Sequence, residues 1–144
     1  MHLALQLTLP ADARLVPRTR RVVASYLAEL NVPEEDAADV LLAIDEACSN
    51  VLQHAFPKGA GHYQLRADLR PGEIVIEVED DGVGFDALAH RPPADRLPIS
   101  GRGLQVIRAL MTTVEVESPT LLGGTRLRMS RQLPEPDGGH ELRG

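Results

Sequence analysis

The 144-residue sequence predicts an α+β domain of two layers, a mixed, mostly antiparallel sheet with its helices on one face. Three observations lead there. Segments near both ends and in the middle alternate apolar and polar residues at period two, and three others repeat apolar residues at helical spacing. The elements run strand, helix, helix, hairpin, loop, helix, strand, strand, an order that leaves the helices a common face to cover. Hydrophobic residues make up 43% of the chain, but Trp is absent and Tyr and Phe number two each, so the core must come from Leu, Val, Ile and Ala.

The first strand rests on Leu3, Leu5, Leu7 and Leu9, which alternate until Pro10 removes a ladder donor. From Pro17 the spacing is helical, with Val22, Val23, Tyr26, Leu27 and Leu30 on one stripe and Asn31 with Pro33 as the stop. A second helix opens at Pro33-Glu34-Glu35-Asp36, whose carboxylates suit the positive end of the helix dipole. Its apolar stripe runs through Val40, Leu41, Ile44, Cys48, Val51 and Leu52 to Phe56-Pro57. Tyr63, Leu65, Ala67 and Leu69 then alternate with polar neighbours, and beyond the turn Arg70-Pro71-Gly72-Glu73 the alternation resumes at Ile74, Ile76 and Val78, which predicts a hairpin with one buried face. The stretch 80–100 is rich in Gly, Pro, Asp and Ala without a period, and at that length it reads as a functional loop, a lid over a site. Gly101 to Leu110 gives a short third helix. Val114 with Val116, and Thr125 with Leu127 and Met129, give two closing strands, whose exposed face is expected to pair Arg126, Arg128 and Arg131 with Glu115 and Glu117.

The length predicts one domain over residues 1–132, with 133–144 as a flexible C-terminal tail lacking apolar period. A net charge of -6 argues against a surface that neutralises a nucleic-acid backbone. Cys48 is the only cysteine, which excludes an intramolecular disulfide and a Cys-based metal cage. No stretch approaches the roughly 18 apolar residues of a membrane span, and no basic segment followed by an apolar run opens the chain, so the expected location is the cytoplasm, without direct membrane contact. Lys58 is the only lysine and no Gly-Lys-Ser/Thr follows a glycine-rich run, which excludes a P-loop.

Chemistry can sit at three places. Glu46, Asn50 and His54 stand four apart on the second helix and share one polar stripe beside its apolar face. By spacing alone that is an ordinary solvated face with i,i+4 contacts. After the second hairpin strand comes Asp80-Asp81-Gly82-Val83-Gly84-Phe85: a carboxylate at a strand end accepts a hydrogen bond from an amino group, while glycines let the backbone turn and approach a ligand. An Asp-Gly turn explains Gly82 but leaves Gly84 and the doubled acid unexplained. Gly101-Arg102-Gly103-Leu104 opens the third helix, whose free N–H groups and dipole suit a phosphate. His2, His62, His90 and His140 have no metal-ligand spacing.

The ordered set is more specific than its parts. Glu-x-x-x-Asn-x-x-x-His on a helix, Asp-x-Gly-x-Gly after a strand, a loop, Gly-x-Gly-Leu at a helix start and a late Gly-Thr resemble the Bergerat ATP-binding fold of the GHKL superfamily, shared by gyrase and histidine kinases. Within it, the run from Leu41 to Ala55 (LLAIDEACSNVLQHA) resembles the small anti-sigma factor serine/threonine kinases, and the resemblance covers about residues 1 to 132. It implies ATP and Mg²⁺ as cofactors. It makes Asn50 the Mg²⁺ ligand beside the nucleotide phosphates, Glu46 the general base, Asp80 the acceptor of the adenine amino group and Thr125 a hydroxyl supporting adenine through water. Gly82 and Gly84 would admit base and sugar, Gly101 and Gly103 would turn backbone donors to the phosphates, and Arg102 between them is a phosphate partner or points to solvent. His54 matches the pattern, yet it reads first as a residue closing the helix end.

The activity so implied is ATP-dependent phosphorylation of a small anti-sigma factor antagonist on serine or threonine, combined with sequestration of a sigma factor. Family members are commonly dimers, which implies a homodimer. Arg14, Arg18, Arg20 and Arg21 at the first helix are a surface for an acidic partner or simply a solvated helix start. The alternative is a non-catalytic ATP-binding module that controls a partner by nucleotide-dependent binding; the presence of Glu46 gives no reason to prefer it.

Overall fold

The computed structural model describes residues 4–55, 61–82, 101–121 and 123–134. Five strands form one sheet: β1 (Ala4–Pro10), β2 (His62–Arg70), β3 (Glu73–Asp80), β4 (Thr113–Glu117) and β5 (Thr125–Gln132). They lie in the order β1-β2-β3-β5-β4, and all four pairings are antiparallel, so the sheet expected as mixed is antiparallel throughout its described strands. Helices α1 (Val16–Glu29), α2 (Glu34–Asn50) and α3 (Gly101–Leu110) complete the second layer.

Local chemistry sets the boundaries. Pro17 sits in the first turn of α1, where its missing N–H costs nothing, and Thr19 is turned back onto the Leu15 carbonyl at 2.9 Å. Asn31, at φ 58, reverses the chain between α1 and α2, and the Val32 N–H reaches back to the Leu27 carbonyl at 3.0 Å. Glu34, Glu35 and Asp36 fill the first turn of α2 as the dipole favours. The hairpin of β2 and β3 closes on Pro71 and Gly72, whose φ of 79 is the left-handed value such a turn needs at its second central residue.

The period-two pattern decides which face is wet. Leu65 and Ala67 on β2, Ile74, Ile76 and Val78 on β3, and Leu127 and Met129 on β5 are buried beneath Val23 and Leu27 of α1, Ile44 of α2 and Ile107 of α3. Tyr26 fastens α1 to the sheet: its hydroxyl donates to the Ala67 carbonyl and accepts from the Leu69 N–H, both at 3.3 Å. Across the opposite face runs a charge ladder, in which Arg126 pairs with Glu79 at 3.3 Å and with Glu117 at 3.0 Å, and Arg128 with Glu77 at 3.3 Å.

Arg131 departs from the expected ladder. Its odd position gives it the parity of Leu127 and Met129, so it turns to the helix side, where it meets Asp36 at 2.8 Å, Asp39 at 2.7 Å and the Leu110 carbonyl at 2.6 Å. One guanidinium thus joins β5, the start of α2 and the end of α3. The second helix also ends earlier than its apolar stripe suggested: α2 stops at Asn50, and Val51–Ala55 continue as a π-helical turn. The expected lid falls almost wholly on 83–100 and the tail on 135–144, which lie outside the described residues, as does Phe56.

Candidate active site

The α2 helix delivers the first group of site residues. Glu46 is half-buried, and Asn50, one turn later, is 5% exposed at the last α-helical position. Among the described residues the Nδ2 atom of Asn50 is buried without a hydrogen-bond partner. An unpaired buried amide costs about 1–3 kcal/mol, so this donor is open to a further acceptor. Cys48 faces the other way, into the core, where it hydrogen-bonds Tyr63 and burial pushes its thiol up to about 11. Asp45 leans to α1 and pairs with Arg20 at 3.4 Å.

The sheet delivers the second group. Asp80 ends β3 directly opposite Thr125, the first residue of β5, and both are buried. The Asp80 carboxylate accepts the Gly82 N–H at 3.0 Å and the Thr125 N–H. Burial nevertheless holds its carboxyl above the ordinary carboxylate range, the two N–H groups pull it down, and Asp81 and Glu79 add to the rise. A desolvated carboxylate held by two backbone donors at a strand end is aimed, and it still has acceptor capacity for a third donor.

Gly124 makes that row possible. A Cβ there would lie 1.8 Å from the Asp80 carbonyl oxygen and 2.7 Å from the Asp81 Cα, a contact no side chain can make. Thr125 is held in turn by Ser118, whose Oγ lies 2.8 Å from the Thr125 Oγ1. Sequence reasoning included Gly124 in the late Gly-Thr motif without giving it a role, and it missed Ser118, which belongs to no motif and which only the fold brings back onto β5.

The third group opens α3. Gly101 is its first residue, Arg102 is exposed, and Gly103 is buried. The α3 helix packs against α2, and because Arg131 near the end of β5 meets the start of α2 and the end of α3, the end of α2, the start of α3 and the start of β5 lie together at the other end of the helix-covered face. The structure therefore brings Asp80, Gly82 and Thr125 into direct contact, with Glu46, Asn50, Arg102 and Gly103 on the neighbouring helices. Gly84 lies outside the described residues, as does the side chain of His54. Of the basic residues near α1, Arg14 is folded onto Asp12 at 2.8 Å and Arg20 is engaged by Asp45, while Arg18 and Arg21 are exposed.

An antiparallel sheet covered on one face by three helices is an architecture distinct from the parallel sheets of P-loop and Rossmann domains. The family profile described as a histidine kinase-like ATPase domain matches residues 9–131, and the chain belongs to that family. Its place within the family comes from curated relatives. The serine-protein kinase RsbW of Bacillus cereus (strain AH820) is 30% identical over 121 residues, which span 78% of this chain and 76% of the relative. The protein of the same name from Bacillus anthracis matches to the same extent. The anti-sigma factor serine/threonine kinases are thus the branch to which it belongs.

Solved structures agree on the fold. The RsbU and RsbW domains of Rv1364c from Mycobacterium tuberculosis superpose with a TM-score of 0.71 at 23% identity, over 93% of this chain and 33% of that one. This chain therefore spans a third of that protein's chain. The structure of the SiaB-SiaC complex from Pseudomonas aeruginosa gives a TM-score of 0.61 at 17% identity, over 88% of this chain and 87% of its counterpart. No helix among the described residues is long and apolar enough to cross a membrane.

Proposed function

We propose that this chain binds ATP with Mg²⁺ and transfers the terminal phosphoryl group to a serine or threonine of a small anti-sigma factor antagonist, and that it also sequesters a sigma factor. The observation that carries the site assignment is the buried Asn50 amide, whose Nδ2 has no partner among the described residues, one turn from Glu46 on the helix that packs against the one starting with Gly101. Family membership supports ATP as the nucleotide.

The residues divide the work by position. Asp80 accepts the adenine amino group, and Thr125 supports the base through water. Gly82 and Gly84 admit the base and sugar, and Gly101 and Gly103 turn N–H donors to the phosphates beside Arg102. Asn50 would hold the cation through its carboxamide oxygen, which leaves its Nδ2 free to donate to a phosphate oxygen. Among the described residues no three His, Cys, Asp or Glu side chains form a metal site, so phosphate and water would complete the shell, as suits a cation that dehydrates reluctantly. When bound, Mg²⁺ offsets charge on the transferred phosphoryl group. Glu46 takes the proton of the attacking hydroxyl. Arg18 and Arg21 on α1 face solvent as a surface for an acidic partner, and the working unit is a homodimer in the cytoplasm.

The purified chain, incubated with ATP, Mg²⁺ and candidate antagonists, tests this reading. Phosphate should appear on a serine or threonine, and Glu46→Gln should slow transfer by about a thousandfold, the scale of general-base catalysis, with ATP still bound. Nucleotide binding without transfer to any antagonist overturns the kinase reading in favour of a nucleotide-controlled binding module.

A further inference from the structure

Tyr63, Asp80 and Thr125 stand in one row across the open end of the sheet, Tyr63 in register with Asp80 and Asp80 with Thr125. Tyr63 shares the parity of Leu65 and Ala67, so its buried ring lies on the helix-covered face beside the Asp80 side chain. Side chains directly opposite in an antiparallel pair start about 5 Å apart at Cβ. Above this row comes the end of α2. Cys48 lies midway between Glu46 and Asn50 in the sequence and on the other side of the helix, and its buried thiol is hydrogen-bonded to the Tyr63 hydroxyl. The base edge and the helix that carries Glu46 and Asn50 thus meet through one tyrosine, and neither Tyr63 nor Cys48 has a role in the chemistry described above.

We infer that Tyr63 is a positioning residue: by holding Cys48 it fixes the end of α2 above the row of Asp80, and so sets the span between the base edge and the stripe of Glu46 and Asn50. This rests on the assignment of Asp80 to the base and of Asn50 to the phosphate side. Apolar packing of Ile44, Ala47 and Val51 holds α2 to the core but has no preferred direction, whereas a hydrogen bond fixes a distance and an angle. A nucleotide must reach both anchors at once, so it binds those arrangements in which the span matches its length, and its affinity scales with their population. A nucleoside touches the base edge alone and is indifferent to the height of the helix. Without the bond between Tyr63 and Cys48 the matching arrangements become a smaller fraction, and affinity falls for the two-ended ligand only.

The test compares two ligands on the full chain: ATP with Mg²⁺, titrated by calorimetry, and adenosine, titrated by NMR shifts. Tyr63→Phe keeps the ring and removes the hydroxyl. It should lower ATP affinity about fivefold, the size of one ordinary hydrogen bond, with adenosine affinity unchanged. Cys48→Ala should shift the ratio of the two affinities in the same direction, and Cys48→Ser, whose hydroxyl can take the same bond, should keep the wild-type ratio. In a Cys48→Ala background Tyr63→Phe should add nothing, because the coupling partner is gone. Measured well below each melting temperature, a purely structural role would lower stability and leave the ratio unmoved. An unchanged ratio in Tyr63→Phe, equal weakening of both ligands, or a Cys48→Ser variant that behaves as Cys48→Ala overturns the inference. Asp80→Asn separates this from the underlying assignment: if that variant weakens both ligands while Tyr63→Phe leaves the ratio alone, only the positioning role fails. If Asp80→Asn leaves adenosine binding intact, the assignment of the base edge fails as well.

Discussion

The two ends of the helix-covered face each hold partly buried polar groups, and they treat them in opposite ways. At one end Arg131 faces Asp36 at 2.8 Å, Asp39 at 2.7 Å and the Leu110 carbonyl at 2.6 Å, so one guanidinium gives two carboxylates and a carbonyl a partner each. At the other end Asn50 has a buried amide nitrogen without a partner among the described residues, and Asp80 carries a carboxyl that burial has pushed up. A closed polar cluster fixes helices to a sheet. An open one spends stability that a ligand can return. The contrast sets the two ends apart without reference to any motif.

Three perturbations sharpen or break the contrast, and Gly124→Ala should have the largest effect. Its new methyl group would lie 1.8 Å from the Asp80 carbonyl oxygen, so β5 must move away from β3 at the open end. We expect a loss of about 3 kcal/mol in urea unfolding, as for overpacking against rigid backbone, together with weaker ATP binding.

Arg131→Ala comes next. It removes the cation between two carboxylates and the hydrogen bond to the end of α3, and Arg131 is itself 20% exposed, which moderates the cost. Unfolding should lose about 2 kcal/mol, less than a fully buried pair would forfeit. The 10 residues of α3 separate this clamp from the open end by about 15 Å. ATP affinity measured well below the melting temperature should therefore stay within about twofold of wild type.

The smallest effect is a pH dependence. Because the folded Asp80 carboxyl is raised, the native state binds its proton more readily than the unfolded chain, and ionisation costs stability as pH rises through the interval between the unfolded and folded values. Binding runs the other way, since a protonated Asp80 is a poorer acceptor for an amino group. ATP affinity should fall on acidification at a higher pH than an ordinary carboxylate would give. The same titration on Asp80→Asn should lack that step, leaving only the titration of the nucleotide itself.

Most of the architecture was legible because its signals are local. Period two in β2 and β3, the Pro71-Gly72 turn and the acidic first turn of α2 each follow from a few adjacent residues, and α3 spans Gly101–Leu110 as its spacing predicts. The errors arose where geometry overrides spacing. Apolar residues at Val51 and Leu52 continue the α2 stripe, but the backbone there is π-helical. Arg131 was expected among its basic neighbours on the wet face, although its parity with Leu127 and Met129 already assigned it inward. At the site, Asp80 and Thr125 were visible as motif members. The need for glycine at 124 arises from its approach to the Asp80 backbone on the neighbouring strand, and the grip of Ser118 from a turn that brings residues six and seven apart together, which no local pattern encodes.

The central claim is that the open end is the nucleotide site and the closed end is scaffold. Calorimetric titration of ATP with Mg²⁺ into wild type, Asp80→Asn and Arg131→Ala at one temperature tests it most directly. Asp80→Asn should bind about thirtyfold more weakly, the scale of a hydrogen bond to a charged group, while Arg131→Ala keeps its affinity. Wild-type affinity in Asp80→Asn, or an equal loss in Arg131→Ala, would contradict the account.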